Sequence, residues 1–430
     1  MDAASTVSRS GSMAYPKSNS SVLMAKCQFF VRQHTTAVAV TIFALSFILV
    51  ALSDNLSDWR AQSAGALRKN VGALVHPTGI ENWGGAVHAG YFANPDSLVP
   101  EKGTLPFVAV TDLDTLSKVT GGEKPKFRSV MAPGTITLGS DGKYDIKFDK
   151  KTRTLVTNHN EAGRGAEFSE LSIYNKRLLT FDDRTGDVFE ILNTNDGKDS
   201  YVVPRFVITE GSGETDKGMK WEWSTIKGGE LYMGSMGKAY TREDGSIVNT
   251  HNLWIAILNG RGELRRENWA DKYETVRKVL HATDPGYLII EAVNWSDHLN
   301  KWVFLPRRIS SDAYEEVQDE KKGGNKLVLV DPDFSNAQVV TITGISSDPL
   351  RGFSSFAFVP GTNDKHLMAI RSVEEDCTGG EGMVCKQRSY FLLIETLTGK
   401  AISDEVEFSE GLKFEGLEFV NMFTKPPTIV

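Results

Sequence analysis

Phe168-Ser169-Glu170-Leu171-Ser172 leads to Leu179-Thr180-Phe181-Asp182-Asp183-Arg184-Thr185-Gly186, a strand-like run that ends in a tight turn. The turn sets two adjacent carboxylates beside an arginine. Asp-Arg-Thr-Gly is good turn chemistry, so a solvated hairpin would account for it. The same residues could also hold a hard cation, steer a water or grip a phosphate.

Working outward, strand signals continue on both sides. Before the turn come Pro106–Val110, Thr135–Leu138, Asp145–Phe148 and Thr154–Thr157. After it come Val188–Leu192, Leu231–Met233, Trp254–Leu258, Trp302–Leu305 and Lys326–Val330. These runs are short, rich in β-branched and aromatic residues, and separated by Gly, Asn and Asp turns. Helix is predicted only over Glu267–Ala282, with a short piece within Ser311–Lys321. The strands fall into about five groups, repeating at roughly 60 residues between positions 105 and 420, a scale that suits propeller blades. Closing such groups into a ring removes exposed sheet edges and leaves a central channel, although an ordinary sandwich also uses such strands.

The chain has 430 residues and a net charge of -7. No basic stripe is present to neutralise phosphates along a duplex, which argues against nucleic acid as a partner. Thr36–Ser53 carries no charge and is long enough to cross a bilayer as a helix. Arg9, Lys17, Lys26 and Arg32 precede it, while Asp54 and Asp58 follow. That bias predicts a disordered cytosolic tail over 1–35, a transmembrane signal anchor over 36–53 and a stem over 54–104. The propeller would then occupy 105–420 and a short tail 421–430. A cleaved signal peptide is the alternative to the anchor. Cys377 and Cys385 flank a glycine-rich loop and suit either a lumenal disulfide or a reduced pair. Asn55-Leu56-Ser57 and Asn294-Trp295-Ser296 are glycosylation sequons.

Several polar residues sit in apolar surroundings. Glu222 lies between Trp221 and Trp223, and Glu291 ends Tyr287-Leu288-Ile289-Ile290-Glu291. Glu415 follows Phe414, and Ser354-Ser355 lies between Phe353 and Phe356. A buried carboxylate needs a partner or a metal. Glutamates gathered from different blades would repel one another without a cation, and calcium suits such hard oxygen donors. No Cys/His cluster has zinc spacing. An exposed glutamate on an alternating strand is the alternative for each. Cations follow a similar distribution: Arg307-Arg308 ends one strand, Lys238 closes Gly234-Ser235-Met236-Gly237-Lys238, and Lys217 and Lys220 flank Glu222. Arginine grips phosphate with a two-pronged geometry, so a polyphosphate ligand is expected at the channel mouth.

These motifs, in order over residues 105–420, resemble those of the calcium-activated nucleotidases, or apyrases. They are Ala109-Val-Thr-Asp112-Leu-Asp114, Glu167-Phe-Ser169-Glu-Leu, Phe181-Asp182-Asp183-Arg184, Lys220-Trp-Glu222-Trp, Ile290-Glu291-Ala, Pro306-Arg307-Arg308, Gly352-Phe-Ser354-Ser and Phe414-Glu415-Gly. The resemblance implies an all-β, five-bladed propeller with Ca2+ in its channel, held by Ser169, Glu222, Glu291, Ser354 and Glu415. It implies that Asp112, Asp114 and Asp183 line the nucleotide site, with Asp112 or Asp114 as the base. Arg308 or Arg307 would bind phosphate, and Arg184 and Lys238 would help balance its charge. The chain departs from the family at Pro204-Arg205-Phe206 with Glu210-Gly-Ser-Gly, and at Gly237-Lys238-Ala239-Tyr240.

The function so implied is calcium-dependent hydrolysis of nucleoside di- and triphosphates, with UDP and GDP favoured over ADP and ATP. Its setting would be the Golgi or endoplasmic reticulum lumen, with secretion or the cell surface as alternatives. The membrane is a partner through the anchor, and a homodimer is left open. A non-catalytic propeller that uses calcium to bind a glycan or protein is the alternative function.

Overall fold

The computed structural model describes residues 104–420, apart from 123, 195–196, 243–245 and 379–383. The predicted cytosolic tail, anchor, C-terminal tail and all of the stem except residue 104 lie outside the described residues, as does Asn55. Among the described residues, no helix is long and apolar enough to cross a membrane.

The strand groups close into a five-bladed propeller of antiparallel sheets. Their innermost strands are Phe168–Tyr174, Trp223–Lys227, Tyr287–Ser296, Gly352–Phe358 and Phe414–Glu418. Each packs beside the next around the axis, and Phe414–Glu418 returns to lie beside Phe168–Tyr174. The first blade is built from both ends of the ring, because Phe414–Glu418 pairs with Thr104–Thr111 in register Val108↔Glu418 and Ala109↔Leu417. Here a side chain has no room. A Cβ on Gly416 would stand 2.7 Å from Val110 Cγ2 and 2.8 Å from the Glu170 carbonyl carbon, so glycine lets the closing strand approach its neighbour.

Apolar residues fill each interface between blades. Leu178, Phe189 and Ile191 meet Val108, Val110 and Phe127 between the first and second blades. Trp223, Trp269, Trp295 and Trp302 pack together between the third and fourth. This burial removes edge and face from water together, which is what lets short strands persist.

Two predicted helices are shorter than their sequence pattern suggests. Leu264–Asn268 is the outer strand of the third blade, and only Ala270–Val279 is helical. Arg265 and Arg266 pair opposite Ile257 and Ala256, and Arg265 reaches on to Glu230 at 2.6 Å, so pairing overrides local helix preference. The second helix contracts to Glu316–Asp319. Cys377 and Cys385 form a disulfide. In the sequon at Asn294, Nδ2 donates to the Phe356 carbonyl at 2.7 Å, so the atom that would carry a glycan instead ties the fourth blade to the fifth.

Candidate functional site

A repeated irregularity of the inner strands builds the site. Register skips Ser169 between Phe168 and Glu170, Glu291 between Ile290 and Ala292, Ser354 between Phe353 and Ser355, and Glu415 between Phe414 and Gly416. Each skipped residue is a β-bulge, which bends the strand and re-aims one side chain. Glu222 reaches the same position differently. It precedes Trp223, and its N–H donates to the Gly234 carbonyl opposite that tryptophan. All five blades therefore offer one oxygen-bearing side chain at an equivalent point of the inner strand.

Three of these meet across the axis. Carboxylate oxygens of Glu222, Glu291 and Glu415 lie within 4.8 Å of one another, and all three residues are buried. Burial pushes the Glu222 carboxyl up to about 8, with Lys220 opposing and Glu291 reinforcing the rise. Burial likewise drives Glu415 well above the usual carboxylate range. Lys220 bridges Glu222, at 2.6 Å, to Asp183. Arg307 pairs with Glu291, with Glu415 at 2.8 Å and with Glu374 at 2.6 Å. Ser354 Oγ donates to the Phe414 carbonyl, whereas Ser169 Oγ is buried without a hydrogen-bond partner. A converging set of hard oxygens with one hydroxyl left unpaired fits a calcium ion, which accepts carboxylates and hydroxyls together.

A second acidic group lies beside the first. Asp112, Asp114 and Glu167 bring carboxylate oxygens within 4.8 Å of one another. Lys413 contacts Asp112 and Asp114 at 2.8 Å, Glu374 at 2.9 Å and Glu415 at 3.4 Å, which joins the two groups. Arg164 forks onto Glu167 at 2.5 and 2.9 Å and reaches Asp114 at 3.2 Å. Burial, then Asp183 and Asp112, push the Glu167 carboxyl up to about 10. Burial would also raise Asp183, but Lys220, Arg184 and Arg164 hold it below the ordinary aspartate range.

The predicted residues divide by position. Asp112 and Asp114 converge with Glu167, which has Asp183 as a charged neighbour, and Arg184 lies 3.5 Å from Glu161. Arg307 turns inward among carboxylates, so its fork is already engaged. Arg308 is buried, with Nε 3.5 Å from Asp319. Lys238 Nζ stands 4.0 Å from the centre of the Tyr314 ring, and Tyr314 packs edge-on against Tyr287. Lys413, Glu374, Arg164 and Gln387 were not anticipated. Lys413 directly precedes Phe414-Glu415, the one local cue that could have drawn attention to it.

Similarity to known proteins follows the same span. The sequence profile of the Apyrase family matches residues 113–420. The chain is 37% identical over 315 residues to an apyrase of Cimex lectularius, covering 73% of this chain and 82% of that protein. It is 35% identical over 312 residues to soluble calcium-activated nucleotidase 1 of Rattus norvegicus, covering 72% of each. Identity to the apyrase apy-1 of Caenorhabditis elegans is 36%, over 72% of this chain and 82% of that one.

Proposed function

The chain belongs to the apyrase family, and from that premise we propose that it is a calcium-dependent hydrolase. It would convert nucleoside di- and triphosphates to the monophosphate and phosphate, with UDP and GDP preferred over ADP and ATP. The observation that carries this reading is the convergence of Glu222, Glu291 and Glu415 from three blades, directly beside Asp112, Asp114 and Asp183. Ser169 and Ser354 occupy the matching bulges and complete the calcium ligands. Calcium, when bound there, would neutralise the glutamates and supply positive charge toward phosphate oxygens.

The chain's own groups divide the remaining work. Asp112 gives one oxygen to the Asp114 N–H, at 2.7 Å, and the other to Lys413. Asp183 spends one oxygen on Lys220, while its Oδ1 is buried without a hydrogen-bond partner. Asp183, held ionised by its cations, can therefore orient a water toward the terminal phosphate with its second oxygen. Arg184, Lys238 and Arg308 are the cations for the phosphoryl group, where preorganised charge contributes most. Arg307 instead holds the channel glutamates in place.

The uncharged stretch 36–53 supports a signal anchor, and with it a lumenal setting in the Golgi or endoplasmic reticulum. UDP or GDP left by glycosyl transfer would be the substrate there. Phosphate release by the full chain from UDP, GDP, ADP and ATP, with calcium, magnesium or chelator, tests the reading. Release with calcium that chelator abolishes is expected. A folded, calcium-bound chain that releases none would instead be a binding propeller.

A further inference from the structure

We propose that Asp112, Asp114 and Glu167 hold a second divalent cation, separate from the one assigned to the channel glutamates, and that a phosphate oxygen of the nucleotide docks on it. Only the identity of the docking phosphate rests on the nucleotidase reading; the cation site rests on the side chains.

The cluster is built, and its electrostatics are unfinished. With all four carboxylates ionised, Asp112, Asp114, Glu167 and Glu374 are answered by Lys413, Arg164 and, at Glu374, an Arg307 shared with the channel glutamates, so negative charge exceeds positive. A phosphate entering that excess would be repelled, because like charges in a poorly solvated site interact strongly. A divalent ion reverses the sign of the pocket and makes it a place where phosphate can bind.

Two buried oxygens independently point to a missing ligand. Gln387 donates its Nε2 to Asp114 Oδ2 at 3.0 Å, while its Oε1 is buried with no hydrogen-bond partner. Asp183, the leading charged neighbour of Glu167, has a buried Oδ1 that is equally unpartnered. Gln387 and Asp183 are each only 6% exposed, so water at the surface does not satisfy them. An unpaired buried acceptor is costly, and these two suit a hydrated calcium ion on the three carboxylates, with Gln387 as a further ligand and Asp183 accepting from a water on the ion.

The cations present can accommodate the ion. The Arg164 side chain is 28% exposed and can swing from Glu167 toward an incoming phosphate, whereas Lys413, at 3%, stays on one oxygen each of Asp112, Asp114 and Glu374 and shares the aspartates with the ion. Asp114 already adopts a φ of 49°, a left-handed conformation that asparagine also tolerates. Asp114→Asn therefore removes the charge without disturbing the backbone.

Calcium bound per chain, counted by equilibrium dialysis and titration calorimetry on the full chain after chelator treatment, tests the site. Two ions are expected in the parent protein. Asp114→Asn and Glu167→Gln should each lose one, and Glu291→Gln should lose the other. Gln387→Glu, which adds a carboxylate without removing a ligand, should tighten one of the two ions roughly tenfold. Inorganic phosphate should raise affinity for the ion that Asp114→Asn removes, and not for the other. A single ion in the parent protein, two ions retained in both cluster variants, or unchanged calcium affinity in Gln387→Glu would overturn the second cation. Phosphate without effect would overturn the docking. Two ions with no nucleotide turnover would sink the hydrolase and leave the site standing, and turnover with one ion would do the reverse.

Discussion

Buried charge occurs in two forms in this propeller, and they have opposite signs. Within the second blade, Glu190 is held between Arg177 and Arg205, and within the fifth, Glu405 lies between Arg351 and Arg371. One carboxylate there meets two guanidinium groups. At the axis the proportion is inverted: Arg307 is shared by Glu291, Glu374 and Glu415, and Lys413 by Glu374, Glu415, Asp112 and Asp114. In the blade knots positive charge exceeds negative, whereas the axial clusters are short of positive charge. An excess of buried anions separates a place that awaits a ligand from one that only ties strands together.

That contrast can be broken most directly by neutralising one residue of each kind. Glu291→Gln is expected to reduce calcium-dependent nucleotide hydrolysis on the order of 10²–10³-fold while the circular dichroism spectrum stays native, since removing one preorganised charge in a site costs about that much. Retained turnover would erase the distinction. Glu405→Gln should do the opposite. Leaving Arg351 and Arg371 without their carboxylate is expected to cost about 3 kcal/mol in urea unfolding, with turnover per folded molecule unchanged.

Calcium itself sharpens the comparison. Saturation of the channel site at about 100 times its dissociation constant should contribute roughly 2.7 kcal/mol to the stability of the parent protein, seen as a raised Tm. Glu405→Gln should keep this increment in full, and Glu222→Gln should lose most of it. The smallest effect concerns Lys238. Burial lowers its ammonium to about 8, only partly opposed by Asp319. Because burial disfavours the charged form, Lys238 is a cation below pH 8 and neutral above it. The KM for UDP should therefore rise a few-fold between pH 7 and 9, and Lys238→Arg, always charged, should flatten that rise.

Much of the fold was legible because its signals are local. Runs rich in β-branched and aromatic residues such as Val188–Leu192, and turns such as Asp183-Arg184-Thr185-Gly186, state strand and turn within a few residues. The candidate calcium ligands came from family resemblance, supported by glutamates placed oddly among aromatics. What was missed depends on distance along the chain. Lys413 meets Asp112 across 301 positions, and Gln387 meets Asp114 across 273, so no window of sequence joins them. The bulges were equally hidden, since a skipped register is a property of two strands and appears in neither alone. The helix over Glu267–Ala282 was overextended because a strand partner claimed its first residues.

Phe414–Glu418 closes the ring, and with Lys413 just before it supplies Glu415 to one acidic group and a cation to the other. Synthesis proceeds from Asp112 toward these residues, so the ribosome delivers the keystone of the site last. A nascent or prematurely ended chain can fold several blades and still display no finished ion-binding centre. Catalysis by this protein is thereby made contingent on translation through Glu418, and a fragment released before it lacks the residues that join the two acidic groups.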